Sequence, residues 1–138
     1  MVFTLEGRIK NRKVVDIYVQ NLLKLLNLHR RQASELSIKF CTKLPGDVLG
    51  LACGGPRWGE VEIARTSLDT KLQFFEQMIT LSHEMIHIKQ YMKGELSSSP
   101  TEAKSNQIPY KTQPWEQEAH NLEHEYFAKA FPWDMVKF

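Results

Sequence analysis

Five consecutive residues, His83-Glu84-Met85-Ile86-His87, have the types and the spacing to do chemistry at a metal ion. Residues four apart on a helix point the same way, so the imidazoles of His83 and His87 can hold one ion between them. Glu84 follows the first of them directly, where a carboxylate can reach a water activated by that ion and take its proton. Two imidazole ligands with a general base beside them are the equipment of metal-assisted hydrolysis.

The same residues on an ordinary surface helix would be two unrelated histidines and a solvated glutamate. Their surroundings argue otherwise. Phe74, Met78, Leu81, Met85, Ile88 and Met92 recur at alternating steps of four and three, a continuous apolar stripe at helical period. His83 and His87 lie opposite that stripe, flanked by Ile79 and Ile86. A helix apolar on nearly all sides is a buried central helix. Two imidazoles inside it need partners, because unpaired buried polar groups are costly, and a metal ion is such a partner.

A catalytic zinc takes three protein ligands and leaves one position open. The third is expected on the last helix, which Pro114 opens at its first position and which runs to Ala130 before Phe131-Pro132-Trp133. Glu116, His120, Glu123 and Phe127 share one stripe of that helix, whereas Glu118 is turned about 200° away from Glu116. Glu116 and Glu118 therefore cannot both reach one ion. At its position Glu116 would otherwise be a helix-start carboxylate favoured by the dipole. His120 is the alternative third ligand.

The remaining elements must position these groups. A first helix is expected from about Val14 to Leu28, with Val14, Ile17, Tyr18, Leu22, Leu25 and Leu28 on its apolar face. Three strand-like runs follow: Leu36–Cys41, Val48–Cys53 after the turn signal Pro45-Gly46-Asp47, and Gly59–Arg65 after Gly54-Gly55-Pro56. Their spacing predicts an antiparallel meander whose last strand exposes a Glu60, Glu62 and Arg65 face, as an edge strand would. The helix carrying the two histidines should begin near Ser67 or Asp69, both good caps, and stop at Gly94. Glu95 to Gln113 reads as a long polar loop holding Tyr110.

Composition sets the bounds. At 138 residues the chain is expected to be one domain with a core of its own, and 42% hydrophobic with 25% charged residues is ordinary for a soluble protein. A net charge of +2 gives no argument for nucleic acid or an anionic membrane. The basic residues around the first helix read as a solvated face. No apolar run has the length of a membrane span, and the first residues lack a signal-peptide design. Cys41 and Cys53 both fall in apolar stretches. They make neither a disulfide framework nor a Cys-x-x-Cys site, which suits reduced thiols and the cytoplasm.

The run His83-Glu84-Met85-Ile86-His87, followed by Trp115-Glu116-Gln117-Glu118-Ala119-His120, resembles the gluzincin branch of the zincin metallopeptidases. It is similar to minimal gluzincins, SprT-like and ImmA/IrrE-like proteins and small phage or prophage metallopeptidases. The resemblance covers residues 36–131 in layout and is specific only in the two helix motifs. It implies an α+β fold in which a small, mostly antiparallel sheet packs on the central helix and a second, glutamate-bearing helix completes the site. It also implies one zinc ion per chain on His83, His87 and Glu116, with Glu84 as general base and Ala119 facing the motif helix. His120 stands where the family usually has Asp or Asn. The implied substrate is a protein or peptide, bound in extended form on an edge strand, here expected at Glu60 to Ile63. Tyr110, His120, His124 and Tyr126 are candidates to stabilise the oxyanion. The alternatives are a repressor-cleaving regulatory protease and a zinc-holding interaction protein with little turnover; the intact Glu84 argues against the last. A SprT-like role is weakened by the lack of a basic zinc ribbon. The physiological substrate and the oligomeric state are not legible in the sequence.

Overall fold

The computed structural model describes residues 1–64, 71–96 and 113–136. The fold is α+β. Among the described residues, three helices, α1 (Arg12–Leu25), α2 (Lys71–Met92) and α3 (Pro114–Ala130), are combined with four strands, β1 (Val2–Gly7), β2 (Glu35–Cys41), β3 (Gly50–Gly55) and β4 (Trp58–Ala64). The strands form one mixed sheet in the order β1-β2-β4-β3. β1 pairs with β2 in parallel, β2 with β4 in parallel, and only β3 and β4 run antiparallel.

This sheet is not the meander expected from the spacing of the runs. A tight connection, Pro56 and Arg57, joins β3 to β4 and fixes their antiparallel hairpin. The stretch from β2 to β3 is longer and includes a short 3-10 turn at Pro45–Asp47, so β2 is not tied to β3 and lies beside β4 instead. β1 is an additional strand at the start of the chain. It reaches β2 through the crossover helix α1, as a parallel pair requires.

One consequence bears on the site. Glu60, Val61, Glu62 and Ile63, expected at an edge, lie inside the sheet, with β2 on one side of their strand and β3 on the other. Both rows of backbone groups on β4 are committed to neighbours, so it cannot accept an added strand. The sheet ends are β1 and β3.

Alternation along the strands places the core. Leu36, Ile38 and Phe40 of β2 and Val61 and Ile63 of β4 are buried, whereas Thr4, Lys39 and Glu60 are exposed. Helices cover that apolar face, and α2 runs through the middle of the cluster. Its stripe of Phe74, Met78, Leu81, Met85, Ile88 and Met92 is buried throughout. α1 presents Val14, Val15, Tyr18, Val19, Leu22 and Leu23, a face rotated toward Val15 and Val19 from the one the sequence suggested, leaving Leu25 partly exposed. Tyr18 donates to the Met78 carbonyl at 2.7 Å, and Asn21 donates to the Ala130 carbonyl at 2.8 Å, tying α1 to both other helices. Burial pushes the Tyr18 phenol well up, so it stays a neutral donor. Edge-to-face contacts among Tyr18, Phe75, Phe127 and Phe131 close that end of the core.

The helix ends follow local chemistry. α2 stops at Met92, and Gly94 takes the left-handed conformation just beyond it. Arg31 donates to the Met92 carbonyl at 3.2 Å. Pro114 opens α3, and Gln113 stands at its cap without a side-chain cap bond. Ser67, Asp69, Arg65 and Tyr110 lie outside the described residues, as does most of the expected Glu95–Gln113 loop. Among the described residues no helix is long and apolar enough to cross a membrane.

Candidate metal centre

α2 and α3 pack against each other and bring the expected residues together. Ligand atoms of His83, His87 and Glu116 lie within 4.8 Å of one another, and this buried group can hold a metal ion. His87 Nε2 is 2.7 Å from Glu116 Oε1, His83 Nε2 is 3.2 Å from Glu116 Oε2, and the two Nε2 atoms are 3.2 Å apart. The Ala119 side chain is fully buried one turn along, which lets the helices approach at this level.

The opposite ring nitrogens show how the imidazoles are aimed. His83 Nδ1 lies 2.8 Å from Glu123 Oε2. A carboxylate only accepts, so Nδ1 carries the proton and the Nε2 lone pair is turned inward. His87 Nδ1 lies 2.7 Å from Gln90 Oε1. The Gln90 amide nitrogen donates to the Trp115 carbonyl and to Glu118 Oε1, both at 2.9 Å, which fixes the amide orientation and leaves its oxygen to accept from His87. Both rings therefore present Nε2 to the same point, with an oxygen acceptor behind each. Histidines that ligate metals are held in this way.

The donor set itself argues for a cation. Two neutral imidazoles in this tautomer would set lone pairs facing each other at 3.2 Å beside a carboxylate. Burial works against charge on either ring, but the Glu116 hydrogen bond and the negative charges of Glu116 and Glu84 outweigh it, and both imidazoles are held above the ordinary value. A proton is one cation that relieves the arrangement. A transition ion with nitrogen and oxygen ligands is another, and it satisfies all three donors at once.

Glu84 sits next to this group and is nearly buried. Burial holds its carboxyl above the usual carboxylate range, against the opposing pull of His87 and His83. It lines a cavity of about 1050 Å³ together with His83, His87, Glu116, His120, Glu123 and His124. The opposite wall is the start of β3, with Gly50, Leu51 and Ala52, and Tyr91, Leu96 and Trp115 add apolar surface. β3 passes very close to α2. A Cβ on Gly50 would come within 2.9 Å of Glu84 Cγ and 3.0 Å of Thr80 Cγ2, so only glycine fits there without moving the glutamate.

The other candidates are placed as follows. His120 is half-exposed at the lip of the cavity, with Nε2 3.8 Å from Glu116 Oε2 and its ring 4.8 Å from that of His83. Glu118 reaches the other flank of α2, where Lys89 donates to it at 2.9 Å and, with Gln90, keeps its carboxyl below the usual range despite partial burial. Tyr126 packs against the apolar core and is not among the cavity-lining residues. Glu60 to Ile63 likewise do not line it, because β3 lies between them and the open side. Two residues with clear positions here, Glu123 and Gln90, carry no signal of a ligand-orienting role in the sequence, since that role depends on which helix faces which.

No family model matches the chain, and neither a curated protein nor a solved structure matches it.

Proposed function

We propose that this protein is a zinc-dependent peptidase in which His83, His87 and Glu116 hold the ion and Glu84 is the general base. The observation that carries the reading is the pair of inward-aimed Nε2 atoms with Glu116 between them and the buried Glu84 beside them, all on one open cavity. Two imidazoles and one carboxylate are a donor set suited to zinc, and two ligands from one helix with a third from another leave a side open to the cavity. When bound, the ion supplies a Lewis acid that lowers the pKa of water toward neutrality and polarises a carbonyl.

The chain's own groups do the rest. Glu84 takes the proton of the attacking water as its oxygen bonds to the scissile carbonyl carbon. The same carboxyl then delivers that proton to the amine as the C–N bond breaks. A carboxyl held above its usual range by burial is closer to the working pH, which suits both halves of this transfer. His120, at the lip, offers a ring N–H to the carbonyl oxygen as negative charge develops there. The scissile segment lies extended along Gly50 to Ala52 of β3, at the end of the sheet, using main-chain hydrogen bonds that read no particular side chain. Leu49, Leu51, Ile79 and Trp115 favour apolar side chains on either side of the cleaved bond.

Digestion of a broad peptide library by the zinc-loaded protein tests the reading. Cleavage products are expected from the wild type, while Glu84→Gln keeps its zinc and gives none. Cleavage by Glu84→Gln at the wild-type rate rejects Glu84 as the base. An inert wild type that nevertheless holds stoichiometric zinc makes the centre a structural one.

A further inference from the structure

Among the described residues, two groups of side chains can hold a metal ion, and His83 belongs to both. One is the buried centre with His87 and Glu116. In the other, His83 is joined by His120 and Glu123 of α3, and the ligand atoms of these three also lie within 4.8 Å of one another. The two groups differ in exposure. The side chains of His87, His83 and Glu116 are 8%, 9% and 10% accessible, whereas Glu123 is at 16% and His120, at the lip of the cavity, at 51%.

His83 has a carboxylate on each side of its ring. Nδ1 lies 2.8 Å from Glu123 Oε2, and Nε2 lies 3.2 Å from Glu116 Oε2. A neutral imidazole has one lone pair and one N–H, so the ring serves one ion at a time. With the ion in the buried centre, Nε2 gives the lone pair and Nδ1–H donates to Glu123. With the ion on His120 and Glu123, Nδ1 gives the lone pair and Nε2–H donates to Glu116. As the ion moves inward, one proton leaves Nε2 and one is taken up at Nδ1 by exchange with water, so the ring's proton count is unchanged.

We propose that His120, Glu123 and the Nδ1 side of His83 form an entry station, through which a transition ion such as Zn2+ reaches the buried centre and leaves it. The proposal rests on that centre being a metal site and not on what it catalyses. A cation that leaves water before it meets new ligands bears the full cost of desolvation. Half-exposed His120 takes the ion while most of its water is still in place, and Glu123 adds a negative charge. His83 then carries it inward by exchanging one ring nitrogen for the other. A station used only in passing lowers the barrier equally in both directions and leaves the affinity to the buried ligands.

Stopped-flow Zn2+ uptake by the metal-free protein, and Zn2+ release into excess chelator at a chelator-independent rate, test this beside the equilibrium dissociation constant. His120→Ala should slow both rates by ~10-fold or more, while the dissociation constant shifts by a smaller factor. Glu123→Gln keeps an oxygen that accepts from His83 Nδ1 but loses the charged ligand, so it should show the same pattern. Glu76→Gln, which removes a cavity carboxylate outside the group, should change neither rate. Unchanged rates in His120→Ala overturn the proposal and leave the buried centre standing. So does an affinity loss carried by faster release alone, the mark of a side chain that only supports the bound state. Equal slowing in Glu76→Gln assigns the effect to the field of the whole cavity and overturns the station as well. A wild type that binds no Zn2+ rejects the buried centre and the station together.

Discussion

Removing the Glu116 carboxylate takes away the group that lies against both inward nitrogens, His83 Nε2 and His87 Nε2. Glu116→Ala is expected to lose zinc by orders of magnitude, whereas Glu118→Ala, which cuts contacts to Lys89 and Gln90 on another flank, should retain it. His120→Ala should weaken the tight ion only modestly, because its nearest nitrogen is 3.8 Å from Glu116 rather than turned to the shared point. Competition with a chromogenic chelator measures all three, and tight zinc lost from His120→Ala but kept by Glu116→Ala would make this a three-histidine centre. Gln90 acts on the same ion from behind. Gln90→Leu strips His87 of its acceptor and leaves the Trp115 carbonyl and Glu118 without the amide donor. It should weaken zinc ~10–100-fold and cost about 1–3 kcal/mol of stability, read from chelator competition and urea unfolding respectively. The group able to hold an ion was legible in the sequence, because helical spacing puts His83 with His87 and separates Glu116 from Glu118. Gln90 was not, and for Glu123 only the shared stripe with Glu116 was, since helical spacing says nothing of the side chain a polar residue will meet on another helix.

At the scale of elements, the helices were read closely and the sheet was not. α2 and α3 announce themselves by apolar stripes at helical period, and Pro114 and Gly94 mark ends that the structure keeps. Strand pairing has no such local mark. Val2 pairs with Glu35 and Glu35 with Trp58, partners brought together only by a crossover, so the parallel ladders and the inner place of β4 could not be read from spacing. The hairpin from β3 to β4 could, because a tight turn joins those strands. The pairing takes β4 out of the edge position and leaves β3 at the sheet end beside the cavity, the edge proposed above for a peptide, and Gly50 tests that proposal. In Gly50→Ala the new methyl group meets Glu84 Cγ at 2.9 Å and must displace it or the strand. Cleavage should fall by ~10²-fold, the scale of misplacing a catalytic group by about an ångström, while zinc affinity changes little. Equal activity in Gly50→Ala and the wild type would argue that Glu84 does not work beneath β3.

For the whole molecule, the centre is a cross-link between two helices that are distant in the chain. His83 and His87 belong to α2 and Glu116 to α3, so an ion that binds the folded arrangement stabilises it by mass action. With zinc at a hundredfold excess over its dissociation constant that stabilisation is about 2.7 kcal/mol. Chelation should lower Tm by on the order of 10 °C, and Glu116→Ala should show no chelator-dependent shift in the same calorimetric scan. The apolar cluster that α1, α2 and the sheet share does not depend on the ion. The metal-free protein is therefore expected to keep its secondary structure and to exchange amide hydrogens faster in the first turns of α3 than in α2.

Gly50 also bears on how such a protein can change over generations. The wall facing Glu84 is main chain, which offers the same hydrogen-bonding groups to any peptide, and the one side chain that could intrude there is missing. Leu49 and Leu51, its immediate neighbours, are exposed on the cavity wall. Preference for one substrate over another can then drift through positions 49 and 51 while position 50 stays closed to every substitution, alanine included. A saturation mutational scan selected for cleavage should return that pattern: one position that tolerates nothing, set between two that tolerate much and differ in what they cut.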